Sequence, residues 1–175
     1  MAFDSYALFQ GFLSQFEFHW ETALNELDAP VMGQLVGGNR LRPQMCFLGY
    51  LAAVEPALWN QDNFSLIADI SVSIELLHKA SLILDDWIDH DAERRGHAAL
   101  HMQLGPERFA LFAIKMTAFS MQRLEKRFAA GIILPCHYYL CLNVLIETTH
   151  LMASGAYQEL SVNGADIFDY ATVKK

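Results

Sequence analysis

An all-α fold, a helical bundle, follows from three observations on this 175-residue sequence. Apolar residues recur at helical spacing through most of the chain, no alternation of apolar and polar residues lasts long enough for a sheet, and Gly, Pro and Asn cluster at a few breaks. A hydrophobic share of 53% against 18% charged residues supplies a sizeable core and excludes a disordered tail.

The breaks place the elements. Helices are expected over 3–27, 41–56, 64–90, 105–127 and 135–162, with a further one starting near 166. Pro30, Gly33 and the pair Gly37-Gly38 separate the first from the second, and Pro43 suits an early helical position, where its missing N–H costs nothing. Asn60 to Asn63 read as a polar linker and Gly96 to Gly105 as a loop; Pro135 opens the fifth helix and Gly164 marks its stop. Without a repeat or a low-complexity linker, residues 1–175 read as a single domain.

A formal net charge of -8 argues against nucleic acid as a partner, so an anionic substrate must be held by local cations, bound metal or both. Cys46, Cys136 and Cys141 form no CxxC pair and read as small buried thiols in a reducing compartment. The first residues include Asp4 and lack a basic region leading into an apolar core, so a cytoplasmic location is expected. Phe128 to Ile146 carries no Asp, Glu, Lys or Arg, but Pro135, His137, Asn143 and two adjacent tyrosines make it a poor membrane span. It reads instead as a buried core or subunit-interface helix.

The chemistry concentrates at the end of the third helix, in the run Ser81-Leu-Ile-Leu-Asp85-Asp86-Trp-Ile-Asp89-His90-Asp91. At about 100° per residue Asp85 and Asp89 share one face and Asp86 lies one step round. A helix C-terminus is a poor place for negative charge, because the dipole is negative there and i, i+4 carboxylates repel. A divalent cation would offset that cost, and Mg²⁺ typically takes one or two carboxylates with waters and substrate phosphates. The plain alternative is a solvated acidic helix end. Arg94-Arg95 follow at once, either as an internal salt-bridge cluster or as an arginine clamp on a diphosphate. Gly37-Gly38-Asn39-Arg40-Leu41-Arg42 leads into a helix N-terminus, a plausible anion site. His78 precedes Asp85 by seven residues, on about the same face, and taken alone it reads as a satisfied core residue, like Glu75.

Taken together, GGNRLRP at 37–43, ELLHKASLILDDWIDHDAERRG at 75–96 and, more weakly, GAYQEL at 155–160 resemble the trans-isoprenyl diphosphate synthases, or polyprenyl synthetase family. The likeness covers nearly the whole chain but only the N-terminal half of the family fold. It implies a helical bundle of the isoprenoid synthase type around a deep pocket, usually in a homodimer. The implied reaction is Mg²⁺-assisted loss of diphosphate from an allylic substrate, attack on the carbocation by isopentenyl diphosphate, and loss of a proton. Carried over by position, Asp85, Asp86 and Asp89 bind Mg²⁺ and are the catalytic carboxylates, and Arg94 holds the allylic diphosphate. Arg42, His78 and Arg95, with Gly38, Asn39 and Arg40, surround the isopentenyl diphosphate. Ala80 and Ser81 stand where the family sets chain length, and their small size implies a geranylgeranyl or longer product.

Three departures stand out: Asn39 where the family usually has Lys, Gly155-Ala156 for Gly-Gln, and Lys115-Met116 for a Gly-Asp pair. The family's second aspartate-rich motif falls beyond Lys175, so the other half of the metal site is expected from a longer or complementing chain. A class I terpene cyclase and a non-catalytic partner subunit of a synthase are the alternative readings.

Overall fold

The computed structural model describes residues 5–27 and 35–161, and the fold is all-α as expected. The elements are α1 (Ser5–Leu27), α2 (Leu41–Ala53), a 3-10 turn (Pro56–Leu58), α3 (Gln61–Ile88), β1 (Glu93–Arg94), β2 (His97–Ala98), α4 (Leu100–Leu104), α5 (Pro106–Ala129) and α6 (Pro135–Ser161). The expected breaks at Pro30, Gly33 and Gly164 and the helix near 166 lie outside the described residues.

Four expected boundaries change, each for a local reason. The second helix stops at Ala53, since Val54 is extended and Pro56 opens the 3-10 turn. The Asn60 to Asn63 linker is instead the start of α3: the Asn60 side chain accepts from the Asn63 N–H at 2.9 Å, an N-cap that satisfies a first-turn donor. The expected loop over 96–105 holds a short helix, and β1 and β2 pair as a hairpin. Its two-residue turn, Arg95-Gly96, has φ of 53° and 79°, the positive values that a tight twisted hairpin requires. A two-residue strand has no alternation to detect, which is why the sequence pattern missed it.

Helix α3 is the axis, packed against α1, α2 and α5 and more lightly against α6. At about 1.5 Å per residue its 28 residues span roughly 42 Å. Phe12, Phe16, Trp20 and Leu24 recur every four residues along α1 and are all fully buried. The Phe12 ring stacks on Phe47 at 4.3 Å, and Phe47 meets Phe64 edge-on at 5.3 Å, so α1, α2 and α3 share one aromatic seam. Phe109, Ala113 and Met116 bring α5 into the same core, and Met116 is fully buried. That burial is the physical reason a methionine stands at 116. A second cluster of Leu77, Leu124, Ile133 and Leu145 ties α6 to α3 and α5.

The expectation for 128–146 needs correction. Helix α5 ends at Ala129, Gly131 turns the chain with φ of 70°, and α6 begins at Pro135. Among the described residues of α6 Leu145 alone is buried, while Tyr139, Leu140, Val144 and Leu151 are each more than half exposed. The buried-core reading is thus overturned among the described residues, and the segment presents an exposed apolar face. No described helix is long and apolar enough to cross a membrane. The cysteines also differ from expectation: all three are free, but Cys136 is exposed in the first turn of α6 and Cys46 and Cys141 are half-buried.

Candidate functional site

Helix α3 carries the acidic group at its end and nothing cationic in its last turn, so the carboxylates meet the negative helix pole unneutralised by their own helix. Asp85 and Asp89 are exposed and make no ion pair among the described residues, and Asp89 caps the helix with its N–H on the Asp85 carbonyl at 2.9 Å. Asp86 points the other way and is 3% exposed. Its two oxygens accept from Arg94 Nε at 2.5 and 2.7 Å, and the Arg94 charge is closed on it from Nη2 as well. Of the two readings of Arg94, this structure holds the internal ion pair. The pair pushes the already high Arg94 pKa further up, chiefly through that hydrogen bond, with burial opposing it.

Three acidic side chains therefore leave one helix end, but no group of three His, Cys, Asp or Glu residues is arranged to hold a metal among the described residues. Asp85 and Asp89, unpaired hard oxygen donors on one face, fit a hydrated Mg²⁺ that completes its shell with waters and phosphate oxygens. Asp86 fits the same ion only after Arg94 has turned away from it.

The cationic side of the site comes from the loop before α2 and from the hairpin. Gly37 and Gly38 have φ of 88° and 115°, and α2 starts without a side-chain cap, which leaves its first-turn N–H groups open to an anion. Arg42 and Asn39 are exposed there. Arg40 is different: it is 8% exposed, bonded to Glu17 at 2.8 and 3.1 Å and to Glu75 at 3.3 Å, and lies over the Phe16 and Trp20 rings. Its guanidinium is occupied, and its structural part is to hold the loop against α1 and α3. Glu75 is accordingly the buried partner expected from its position.

Arg95 reaches across from the hairpin, its Nη1 lying 3.3 Å from where a Cβ on Gly38 would stand. A Cβ at 38 would press on that flexible guanidinium, which can give by a few tenths of an ångström, so it is the φ of 115° that calls for glycine there. His78 sits half-buried between these parts. Burial lowers its pKa to about 4, and Arg42, Lys79, Arg94 and Arg95 push in the same direction, so the ring is neutral at pH 7 inside a field of four cations. The structure thus brings Gly38, Arg42, His78, Arg94 and Arg95 into one neighbourhood with Asp86.

Three non-glycine residues with left-handed backbone occur among the described residues: Arg40, His90 and Arg95. All flank this site, at a cost of roughly 1–2 kcal/mol each. Sequence reasoning missed Lys79, which is 4% exposed and donates from Nζ to the Gly37 carbonyl at 3.0 Å. A single lysine in mid-helix carries no signal that separates it from a solvent-facing one; its place beside His78, on a turn otherwise wholly apolar, was the available hint.

The expected chain-length positions separate. Ala80 is 1% exposed within the main core, whereas Ser81 is half-buried one step round, its hydroxyl donating to the His78 carbonyl at 2.8 Å. GAYQEL at 155–160 lies on the last turns of α6, with Tyr157 75% exposed.

A family model described as polyprenyl synthetase matches residues 25–174. The chain is 27% identical over 139 residues to a geranylgeranyl diphosphate synthase of Methanosarcina mazei, which covers 79% of this chain and 37% of that protein. It is 43% identical over 71 residues to the chloroplastic solanesyl-diphosphate synthase 2 of Oryza sativa subsp. japonica, covering 39% and 17%. With a short chain isoprenyl diphosphate synthase of Methanocaldococcus jannaschii it shares 32% identity over 69 residues, 39% of this chain and 19% of the relative. The chain therefore spans little more than a third of the relative it matches at greatest length here.

Proposed function

The chain belongs to the polyprenyl synthetase family, and from that premise we propose that it serves a trans-prenyltransferase joining an allylic diphosphate to isopentenyl diphosphate. The observation that carries the reading is the juxtaposition at the end of α3. Four cations, Arg42, Lys79, Arg94 and Arg95, surround a neutral His78 beside the carboxylate run, and with Arg94 answered by Asp86 and Lys79 by Glu75, Arg42 and Arg95 are left to meet an anion. The names of the relatives, geranylgeranyl and solanesyl diphosphate synthases, favour the same chemistry.

Asp85 and Asp89, joined by Asp86, are the proposed carboxylates for Mg²⁺, which when bound neutralises the departing diphosphate. Arg94 leaves Asp86 and takes the allylic diphosphate, while Arg42, Arg95 and the N–H groups at 38–39 take the isopentenyl diphosphate. His78, uncharged, donates a hydrogen bond without adding to the cationic crowd.

Purified protein given Mg²⁺ and an allylic diphosphate is expected to make longer diphosphates only when isopentenyl diphosphate is added. Hydrocarbons or alcohols formed without it would assign a class I cyclase, and absence of turnover under both conditions would assign a partner subunit or a fragment that lacks half of the active centre. Product length is proposed as geranylgeranyl or longer, with Ser81 as the wall residue that the structure leaves reachable. Ser81→Phe is expected to shift products toward shorter chains at unchanged ionisation rate. Ala80→Phe overpacks the core and loses about 1–3 kcal/mol of stability first. An unchanged product distribution in Ser81→Phe would move the length control elsewhere.

The exposed apolar face of α6 is proposed to be covered by a second copy or a complementing chain. Sedimentation at micromolar concentration is expected to give a mass above the monomer, and a well-behaved monomer would exclude that partner. We take 1–175 as one helical unit and place it in the cytoplasm, in keeping with three unpaired cysteines.

A further inference from the structure

We propose that Lys79 is a positioning residue that turns the Gly37–Gly38 peptide so that the Gly38 N–H, beside the Arg95 guanidinium, receives the diphosphate of isopentenyl diphosphate. The inference rests on the prenyltransfer reading and assigns a part to a side chain that reading does not otherwise require.

The geometry begins with one carbonyl. The Gly37 oxygen accepts from Lys79 Nζ at 3.0 Å and from Arg40 Nη1 at 3.3 Å, two cations on two different elements. A loop carbonyl held by two inward cations has its direction fixed. The peptide bond that follows is trans, and across a trans peptide the C=O and the N–H point to opposite sides. Drawing the Gly37 oxygen inward therefore turns the Gly38 N–H outward, and no acceptor for that N–H is found among the described residues. Both glycines are at positive φ, 88° and 115°, so the orientation needs glycine at each place.

Charge completes the case. Arg95 Nη1 lies 3.3 Å from the Cβ position of Gly38, and Lys79 Nζ, on the carbonyl side of the peptide, lies 3.6 Å from it. The single carboxylate shared by the two buried cations is Glu75, 3.3 Å from Arg40 Nη1 and 4.0 Å from Lys79 Nζ. Arg40 has Glu17 as a further partner, whereas Arg95 forms no ion pair among the described residues. Two carboxylates, Glu75 and Glu17, face three cations, Lys79, Arg40 and Arg95, which leaves one positive charge without an answering group. Burial lowers the Lys79 pKa to about 8, Glu75 opposes this, and Arg95, Arg40 and Arg94 add to it. An incoming diphosphate relieves that crowding and draws the proton back onto Lys79.

The sign of the pH dependence follows. Lys79 is charged below about pH 8 and loses its proton above it in the free protein, so the affinity for isopentenyl diphosphate falls as pH rises past that point. The test is calorimetric titration of isopentenyl diphosphate into the full chain with a chelator present, so that metal carboxylates contribute nothing. Wild type is expected to bind, and to weaken above about pH 8. Lys79→Met is expected to bind roughly tenfold or more weakly, with no further decline at high pH. Lys79→Arg, which keeps the charge but does not titrate, is expected to bind with a flat profile, and this second variant decides the matter if Lys79→Met fails to fold.

Equal affinity in wild type and Lys79→Met overturns the inference, as does a wild type that binds nothing or a pH decline that survives in Lys79→Arg. Prenyltransfer is scored separately. If transfer is absent while Lys79-dependent binding persists, the prenyltransfer reading falls and the positioning role stands. If transfer is present while Lys79→Met binds like wild type, the reading stands and the role falls.

Discussion

Asp85→Asn is expected to lower prenyl transfer by about 10³-fold while leaving the fold slightly more stable. On the proposed reading the activity loss comes from removing a carboxylate that would position Mg²⁺, a contribution of several kcal/mol to charge stabilisation at about 1.36 kcal/mol per tenfold. The stability gain comes from the same charge. Asp85 and Asp89 repel at i, i+4, they sit at the negative pole of α3, and no basic residue occupies the last turn. Each effect is worth a few tenths of a kcal/mol, so the melting temperature should stay level or rise. Asp86→Asn behaves differently, because its carboxylate is buried and holds Arg94. Losing that pair costs about 1–3 kcal/mol, so a loss of activity there mixes chemistry with folding. Asp85 is the cleaner probe. A rate within threefold of wild type in Asp85→Asn, with the protein folded, would remove the carboxylate from the metal site.

What the sequence made legible and what it hid divide along physical lines. Long helices were legible because each buries a stripe over several turns: the four-residue spacing from Phe12 to Leu24 is visible without coordinates. Short elements were not, because the hairpin depends on two positive φ values at Arg95-Gly96 and on no periodicity at all. Among the candidate site residues, Asp85, Asp86 and Asp89 stand out in the sequence by placing charge where a helix end disfavours it. The division of labour among them stayed hidden, since that Asp86 faces Arg94 while Asp85 and Asp89 face outward depends on where the hairpin folds back. Arg40 and Arg42 look alike in sequence, two residues apart in one motif. Only the packing of α1 shows that Arg40 is enclosed by Glu17, Glu75, Phe16 and Trp20 while Arg42 remains exposed.

Asp69→Asn is expected to be the most destabilising single substitution considered, at about 3–5 kcal/mol. Asp69 is 3% exposed on α3, and its two oxygens accept from Arg123 and Arg127 of α5. His19 of α1 approaches it at 3.6 Å, so one carboxylate joins three helices. Taking away its charge leaves Arg123, 6% exposed, as a buried cation whose remaining partner, Glu26, is 3.8 Å away. By contrast the Lys126–Glu26 pair is largely exposed, and removing it should cost under about 1 kcal/mol. The same network sets the acid response. Burial pushes the Asp69 carboxyl up, but the hydrogen bond from Arg127 and the charges of Arg123, Arg127 and His19 outweigh it and hold the group below the usual carboxylate range. A depressed carboxylate stabilises the fold above its unfolded pKa of about 3.9, and that stability is lost as pH falls through the folded value. Burial likewise lowers His19, with Asp69 opposing it, so its contribution is lost as pH falls below its unfolded pKa of about 6.5. Denaturant unfolding of wild type should therefore show stability declining below about pH 6.5 and again below about pH 4, with the second decline missing in Asp69→Asn. Pairing Asp69→Leu with Arg123→Met should cost less than Asp69→Leu alone, because the double change leaves no stranded charge in the core. If the two losses simply add, the network is not what joins these helices.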